Sequence, residues 1–127
     1  MPEQTFAAIA VPSAAGPELS AEDAKLVTLA RSSRARVGAA EGAAVRDQDG
    51  RTYAAASVAL PSLTVTALQL AVAQAAASGA TKIEAAAVVT ESAGLDGAGH
   101  AAVRDLAADA LIHVAGPSGK LVGTVTA

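Results

Sequence analysis

From Ala21 onward the apolar positions follow two patterns, a helical period of three to four residues and short continuous runs, and the switches between them predict the elements. Leu26, Leu29 and Ala30 recur at helical spacing after Ser20, a residue suited to an N-cap, with Glu22 and Asp23 in the first turn, where the helix dipole favours acids. This predicts a first helix over about 20–35. Gly42 to Asp47 and Arg51 to Leu60 are Ala- and Val-rich runs flanking Gln48-Asp49-Gly50, and Asp-Gly is a strong hairpin signal. They read as two antiparallel strands. Pro61-Ser62-Leu63-Thr64 opens an Ala/Leu/Gln stretch that stops at Ser78-Gly79, predicting a second helix over about 64–78, apolar nearly all round and therefore buried. Lys82 to Val89, continuous after Glu84, reads as a buried central strand. The glycine-rich stretch Gly94 to Gly99 leads into a third helix over about 99–109, and Leu111 to Ala115 and Leu121 to Val125 form two last strands around Gly116-Pro117-Ser118-Gly119.

Helix, strand, strand, helix, strand, helix, strand, strand is the order of an α/β fold, a three-layer α/β/α sandwich around a five-stranded mixed sheet. One domain over 19–127 accounts for all of these elements. Residues 1–18 carry Pro2, Pro12, Gly16 and Pro17 with little periodicity and read as a flexible N-terminal arm.

Composition narrows the chemistry. With 52% hydrophobic residues the 127-residue chain is not generally disordered, but one Phe, one Tyr and no Trp leave a core of Ala, Val, Leu and Ile. Small side chains bury less area each, so assembly into a homo-oligomer is expected to supplement stability. The absence of cysteine removes disulfides, Fe-S clusters, thiolate zinc sites and cysteine nucleophiles. Phe6 to Val11 lacks a basic lead and stops at Pro12, so it fails as a signal peptide, and no apolar run is long enough to span a bilayer; the expected location is cytoplasmic, without membrane contact. A net charge of -3 argues against a general nucleic-acid footprint. Arg31, Arg34 and Arg36 cluster near a helix end, where the dipole favours cations, and an RNA or acidic-protein contact there stays open.

Two segments carry a resemblance. Leu63-Thr64-Val65-Thr66-Ala67-Leu68 is similar to the Leu-Thr-x-Cys-Ala-Glu element of zinc-dependent cytidine deaminases, and Gly99-His100-Ala101-Ala102-Val103-Arg104-Asp105 to their Pro-Cys-Gly-x-Cys-Arg-Gln. Gly42-Ala43-Ala44-Val45 with Asp49-Gly50-Arg51 resembles the family's first hairpin, and Ser57-Val58-Ala59-Leu60 stands where members carry a ribose-binding Asn-x-Glu-Asn. The order of elements matches from about Leu19 to Val122. In the family the metal activates a water and a Glu that is not a ligand moves the proton.

By this resemblance the three zinc-ligand positions hold Thr66, His100 and Val103, and the general acid/base position holds Leu68. The former ribose positions hold Ser57, Ala59 and Leu60, of which only Ser57 can hydrogen-bond through its side chain. One imidazole cannot make a zinc site, so neither metal, other cofactor nor catalytic residue is expected. The leading expectation is a pseudoenzyme, an oligomeric interaction or regulatory module, dimer or tetramer, with a protein partner unspecified. Helix two and the stretch Gly94 to Ala102 are the expected assembly surfaces. The alternative is a nucleoside- or nucleotide-binding protein, or a divergent hydrolase, that reuses the pocket. Two helix N-termini without thiolates also suggest an anion site built from Thr64, Thr66, His100 and Arg104, against simple collapse around Leu68 and Val103.

Other motifs read as structure. Gly97-Ala98-Gly99-His100-Ala101-Ala102 fits a dinucleotide fingerprint, yet its glycines lag the strand and no acid follows at the ribose distance. His113 reads as a packed strand residue, and no hydrolase triad is evident. Asp49 is explained by its turn, Glu41 by strand entry, and Glu84 and Glu91 fall on opposite faces of a regular strand.

Overall fold

The segment before Leu19, expected as a flexible arm, lies against the domain over residues 6–12. In this computed structural model, which describes residues 6–12 and 19–127, Ile9–Ala10 forms a short strand, β1, paired antiparallel with Gly94–Leu95. Ile9 and Val11 pack on the main core, an apolar gain that proline content does not register. The remainder of the arm, residues 1–5 and 13–18, lies outside the described residues.

Helix α1, Ala21–Val37, starts at Ser20, whose hydroxyl accepts the Asp23 backbone N–H at 3.1 Å. It runs past the expected stop to Gly38, whose left-handed φ of 64° ends it. Strands β2, Glu41–Asp47, and β3, Thr52–Ala56, form the expected hairpin, with Gly50 at φ 81° in the turn. The long second strand does not continue to Leu60. Ser57 interrupts it, its backbone N–H donating to the Glu41 carbonyl at 3.0 Å and its hydroxyl accepting the Glu41 N–H at 3.1 Å. Beyond it β4, Val58–Leu60, folds back on β5, Leu63–Val65, as a separate two-stranded ribbon.

That ribbon takes up the residues expected to begin the second helix, so α2 spans Ala67–Ala77 with Thr66 as its cap. It is not buried all round: Ala67, Leu68, Ala71, Val72 and Ala75 face the core, whereas Ala73, Ala76 and Ala77 are exposed. Alanine favours the helix without demanding burial. Strand β6, Ile83–Thr90, and the short β7, Gly94–Leu95, precede α3, Gly97–Leu106, which starts two residues earlier than expected because Asp96 caps it. Strands β8, Leu111–Ala115, and β9, Leu121–Thr126, complete the fold.

The main sheet is five-stranded and mixed, in the order β3-β2-β6-β8-β9, with only β6 and β8 parallel and α3 as their crossover. Alternation divides it into two faces. Ala43, Val45, Ala86, Val88, Ile112 and Val114 meet α2 and α3, while Ala44, Ala85, Ala87, Val89 and Ala115 meet Leu26, Val27 and Ala30 of α1. This is the expected three-layer sandwich. No helix among the described residues is long and apolar enough to cross a membrane.

Candidate functional site

Thr66 caps α2 in a closed box: its Oγ1 accepts the Gln69 N–H and the Gln69 Oε1 accepts the Thr66 N–H, each at 3.1 Å. Asp96 does the same work for α3, its carboxylate accepting the Ala98 N–H at 3.1 Å and the Gly99 N–H at 2.9 Å. The protein thus brings its own anion to the helix end where thiolates were absent.

Between the two helix starts the space is filled. Leu68 is 1% exposed and Val103 0% exposed. A Cβ on Gly99 would lie 2.7 Å from the Leu68 Cβ and 2.5 Å from the Asp96 carboxylate, so only glycine lets α3 approach α2 this closely. His100 sits one turn inside α3, not at its opening, and is buried; its ring Nε2 donates to the Thr126 carbonyl at 3.0 Å. Its partner is therefore β9, not Thr66.

An open groove of about 410 Å³ lies beside this packed spot. Ser57, Ala59, Thr64 and Thr66 line it together with Arg34, Glu41, Thr90 and Glu91. Leu60, expected with Ser57 and Ala59, is instead 57% exposed at the ribbon tip and cross-paired with exposed Leu63. Of the expected anion-site residues, Thr64 and Thr66 reach the groove, while His100 and exposed Arg104 do not line it. The four do not converge.

The dinucleotide-like glycines are spent on internal contacts: a Cβ on Gly97 would overlap the Ala7 carbonyl, and Gly99 is held by Leu68 and Asp96. A phosphate needs those backbones free. The arginine cluster is dispersed along α1, with the Arg31 Nε donating to the Pro117 carbonyl at 3.1 Å, Arg34 contacting the Ala40 carbonyl and Glu91, and Arg36 exposed.

The titratable residues that do converge lie on the opposite face of the sheet. The Asp23 carboxylate accepts from Arg46 at 3.0 Å and from the His113 Nε2 at 2.8 Å; the other ring nitrogen of His113 meets the Thr124 hydroxyl at 2.9 Å. Arg46 also donates to Glu84 at 3.1 Å. Burial pushes the Asp23 carboxyl up, but the bonds from His113 and Arg46 outweigh it and hold it below the usual carboxylate range. This Asp-His-Thr chain runs between distant segments, which sequence order does not show, and none of its members lines the groove. Glu84 and Glu91 pair with Arg46 and Arg34 respectively; a register shift at Arg46/Asp47 makes the strand pairing irregular there, so simple alternation does not place them. A second polar knot, missed in the sequence, closes the hairpin: buried Asp47 accepts from Tyr53 Oη at 2.8 Å and from the Asp49 and Arg51 N–H groups.

With this geometry established, residues 19–119 match the family model described as cytidine deaminase-like. The chain belongs to the cytidine deaminase-like family. It is similar in structure to cytidine deaminase from Burkholderia pseudomallei, with a TM-score of 0.70 and 23% identity over 80% of this chain and 90% of that one. At that identity the likeness speaks for the fold. No curated protein matches the chain in sequence.

The zinc associated with such sites needs three protein donors. Among the described residues no three His, Cys, Asp or Glu side chains are grouped to hold a metal, and Thr66, His100 and Val103 offer one imidazole already bonded to a carbonyl. The residues present do not fit zinc.

Proposed function

We propose that this chain is a non-catalytic member of its family, an oligomeric interaction or regulatory module that retains the fold without the deamination chemistry. Leu68 carries the reading. At the position resembling the catalytic Glu it presents a buried hydrocarbon wedged against Gly99, so the side chain at that position neither accepts nor returns a proton. The conclusion holds in either register of the second motif. Laid with Gly99 on the family's Pro, the thiolate positions are His100 and Val103; laid with Gly99 on the family's Gly, which the Asp96 cap favours, they are Ala98 and Ala101. Neither register supplies a thiolate. The test is zinc content together with ammonia release from cytidine, measured on the purified protein: the expected result is neither, and one zinc per chain with turnover would overturn the reading.

The groove favours a second reading, a nucleoside- or nucleotide-binding protein, because Ser57, Thr64 and Thr66 line an open volume of about 410 Å³ together with Arg34 and Glu91. Calorimetric titration with cytidine separates the two readings, with no heat expected from a non-binding module. Assembly as a homo-oligomer, proposed through α2 with its exposed Ala73, Ala76 and Ala77, is checked by light scattering at tens of micromolar, a monomer counting against it.

A further inference from the structure

Residues 6–12 touch the start of α3, β7 and β9, and in each of these elements a glycine lies where the segment comes closest. A Cβ on Gly94 would come within 3.2 Å of the Ile9 carbonyl, one on Gly97 would overlap the Ala7 carbonyl, and one on Gly123 would overlap the Pro12 carbonyl. None of these glycines has a positive φ, so backbone conformation does not require them; the close approach of this segment does. The segment also supplies side chains, with Ile9 and Val11 packed on the cluster that holds Leu95, Val103 and Val114. Leu95, paired directly with Ile9, is 1% exposed. Yet the strand pairing consists of two residue pairs only, Ile9 with Leu95 and Ala10 with Gly94. A segment held by so few backbone bonds opens at far lower free energy than the central sheet.

We propose that residues 6–12 are a latch, seated in a track of glycines, that holds the N-terminal end of α3 against the sheet, and that it releases without global unfolding. Release uncovers the β7 edge, Leu95 and the first turn of α3. The proposal concerns the coupling of the N-terminal segment to α3 and does not depend on whether the chain is catalytic.

Hydrogen exchange read by mass spectrometry on the full chain tests it. In the unmodified protein, peptides covering 6–12 and 94–103 should exchange more slowly than an unstructured chain and faster than those covering β2 and β6. Gly97→Val and Gly123→Val should each accelerate exchange in both segments together, by about tenfold or more, with β2 and β6 unchanged. Ile9→Asp, on the latch itself, should do the same without altering the track, and decides the matter if the glycine variants fail to fold. Free exchange of 6–12 in the unmodified protein, release of 6–12 with no change in 94–103, or loss of protection throughout the sheet in Ile9→Asp would each overturn the latch.

Discussion

The two faces of the central sheet carry different chemistry. The α2 and α3 face packs Leu68 and Val103 in an apolar cluster, beside an internally bonded His100. On the α1 face, behind the sheet from that cluster, Asp23, Arg46, Glu84, His113 and Thr124 form a hydrogen-bonded chain across β2, β6, β8 and β9. Buried charge is tolerated when its groups find partners, and the buried side-chain atoms of this clamp are bonded except Arg46 Nη1. The lesson is that the density of titratable groups marks the structural clamp in this protein, while the two helix starts are marked by close packing at a glycine.

The sharpest way to break the contrast is to put a charge on the apolar face. Leu68→Glu places a carboxylate in a position 1% exposed, against Gly99 and the Asp96 carboxylate, with no cation beside it. The expected cost is about 3–5 kcal/mol in urea unfolding, with no gain in zinc affinity or ammonia release. A stable, zinc-binding Leu68→Glu would mean that the site is latent rather than filled.

Removing charge from the opposite face is expected to cost somewhat less. Asp23→Ala deletes two charge-assisted bonds and leaves Arg46, 14% exposed, with Glu84 alone, so a loss of about 2–3 kcal/mol is expected. The same carboxylate gives a pH signature. Its folded pKa is depressed, so its contribution is complete above the unfolded carboxylate value near about 4 and is lost as pH falls through the folded value. Unfolding followed between about pH 6 and pH 2 should therefore fall more steeply in the unmodified protein than in Asp23→Asn, which lacks the titration. Parallel curves would show that Asp23 is not the group being titrated.

Layer order, the five strands of the main sheet and the hairpin turn at Asp49-Gly50 were legible because period and turn chemistry are local. What escaped depended on contacts between distant segments. The apolar run from Ala54 to Leu60 hides the break at Ser57, since only pairing with Leu63–Val65 distinguishes β3 from β4. The start of α2 was misplaced for the same reason, with Thr64 drawn into a strand and Thr66 left as the cap. Of the site, the residue types at the expected positions, Leu68 and Val103 among them, are readable one by one, whereas the packing of Leu68 against Gly99 is not. The His113 to Asp23 bond joins residues 90 apart, and no local pattern announces it. Asp96, the acid that takes α3's amides, stands just before Gly97, but the glycines that follow it mask the helix start, which the sequence pattern alone puts two residues later.

Asp96 supplies the next test, of intermediate size. If the Asp96 side chain holds α3 chiefly by accepting the Ala98 and Gly99 amides, Asp96→Ala should cost about 1–2 kcal/mol and Asp96→Asn, which still caps, only a few tenths. Thermal unfolding of the two variants at low and moderate salt checks this. Equal losses would assign the effect to charge alone, and no loss in either would return those amides to solvent.

The smallest effect compares like with like on the α1 side. Arg34 and Glu91 form an ion pair at 3.4 Å with Glu91 77% exposed, whereas Arg46 and Asp23 meet at 3.0 Å with both side chains below 20% exposure. Exposed pairs are screened and lose side-chain entropy, so Glu91→Gln should change stability by less than about 0.5 kcal/mol. Glu91 nevertheless lines the groove, and removing its charge frees part of Arg34. A ligand with an anionic group should then bind the variant more tightly than the unmodified protein, if the groove binds such ligands at all. Thermal unfolding and calorimetric titration with cytidine monophosphate read the two halves: unchanged stability with new affinity would make the groove a binding site governed by this pair, and unchanged stability without affinity would leave the pair a solvated surface contact.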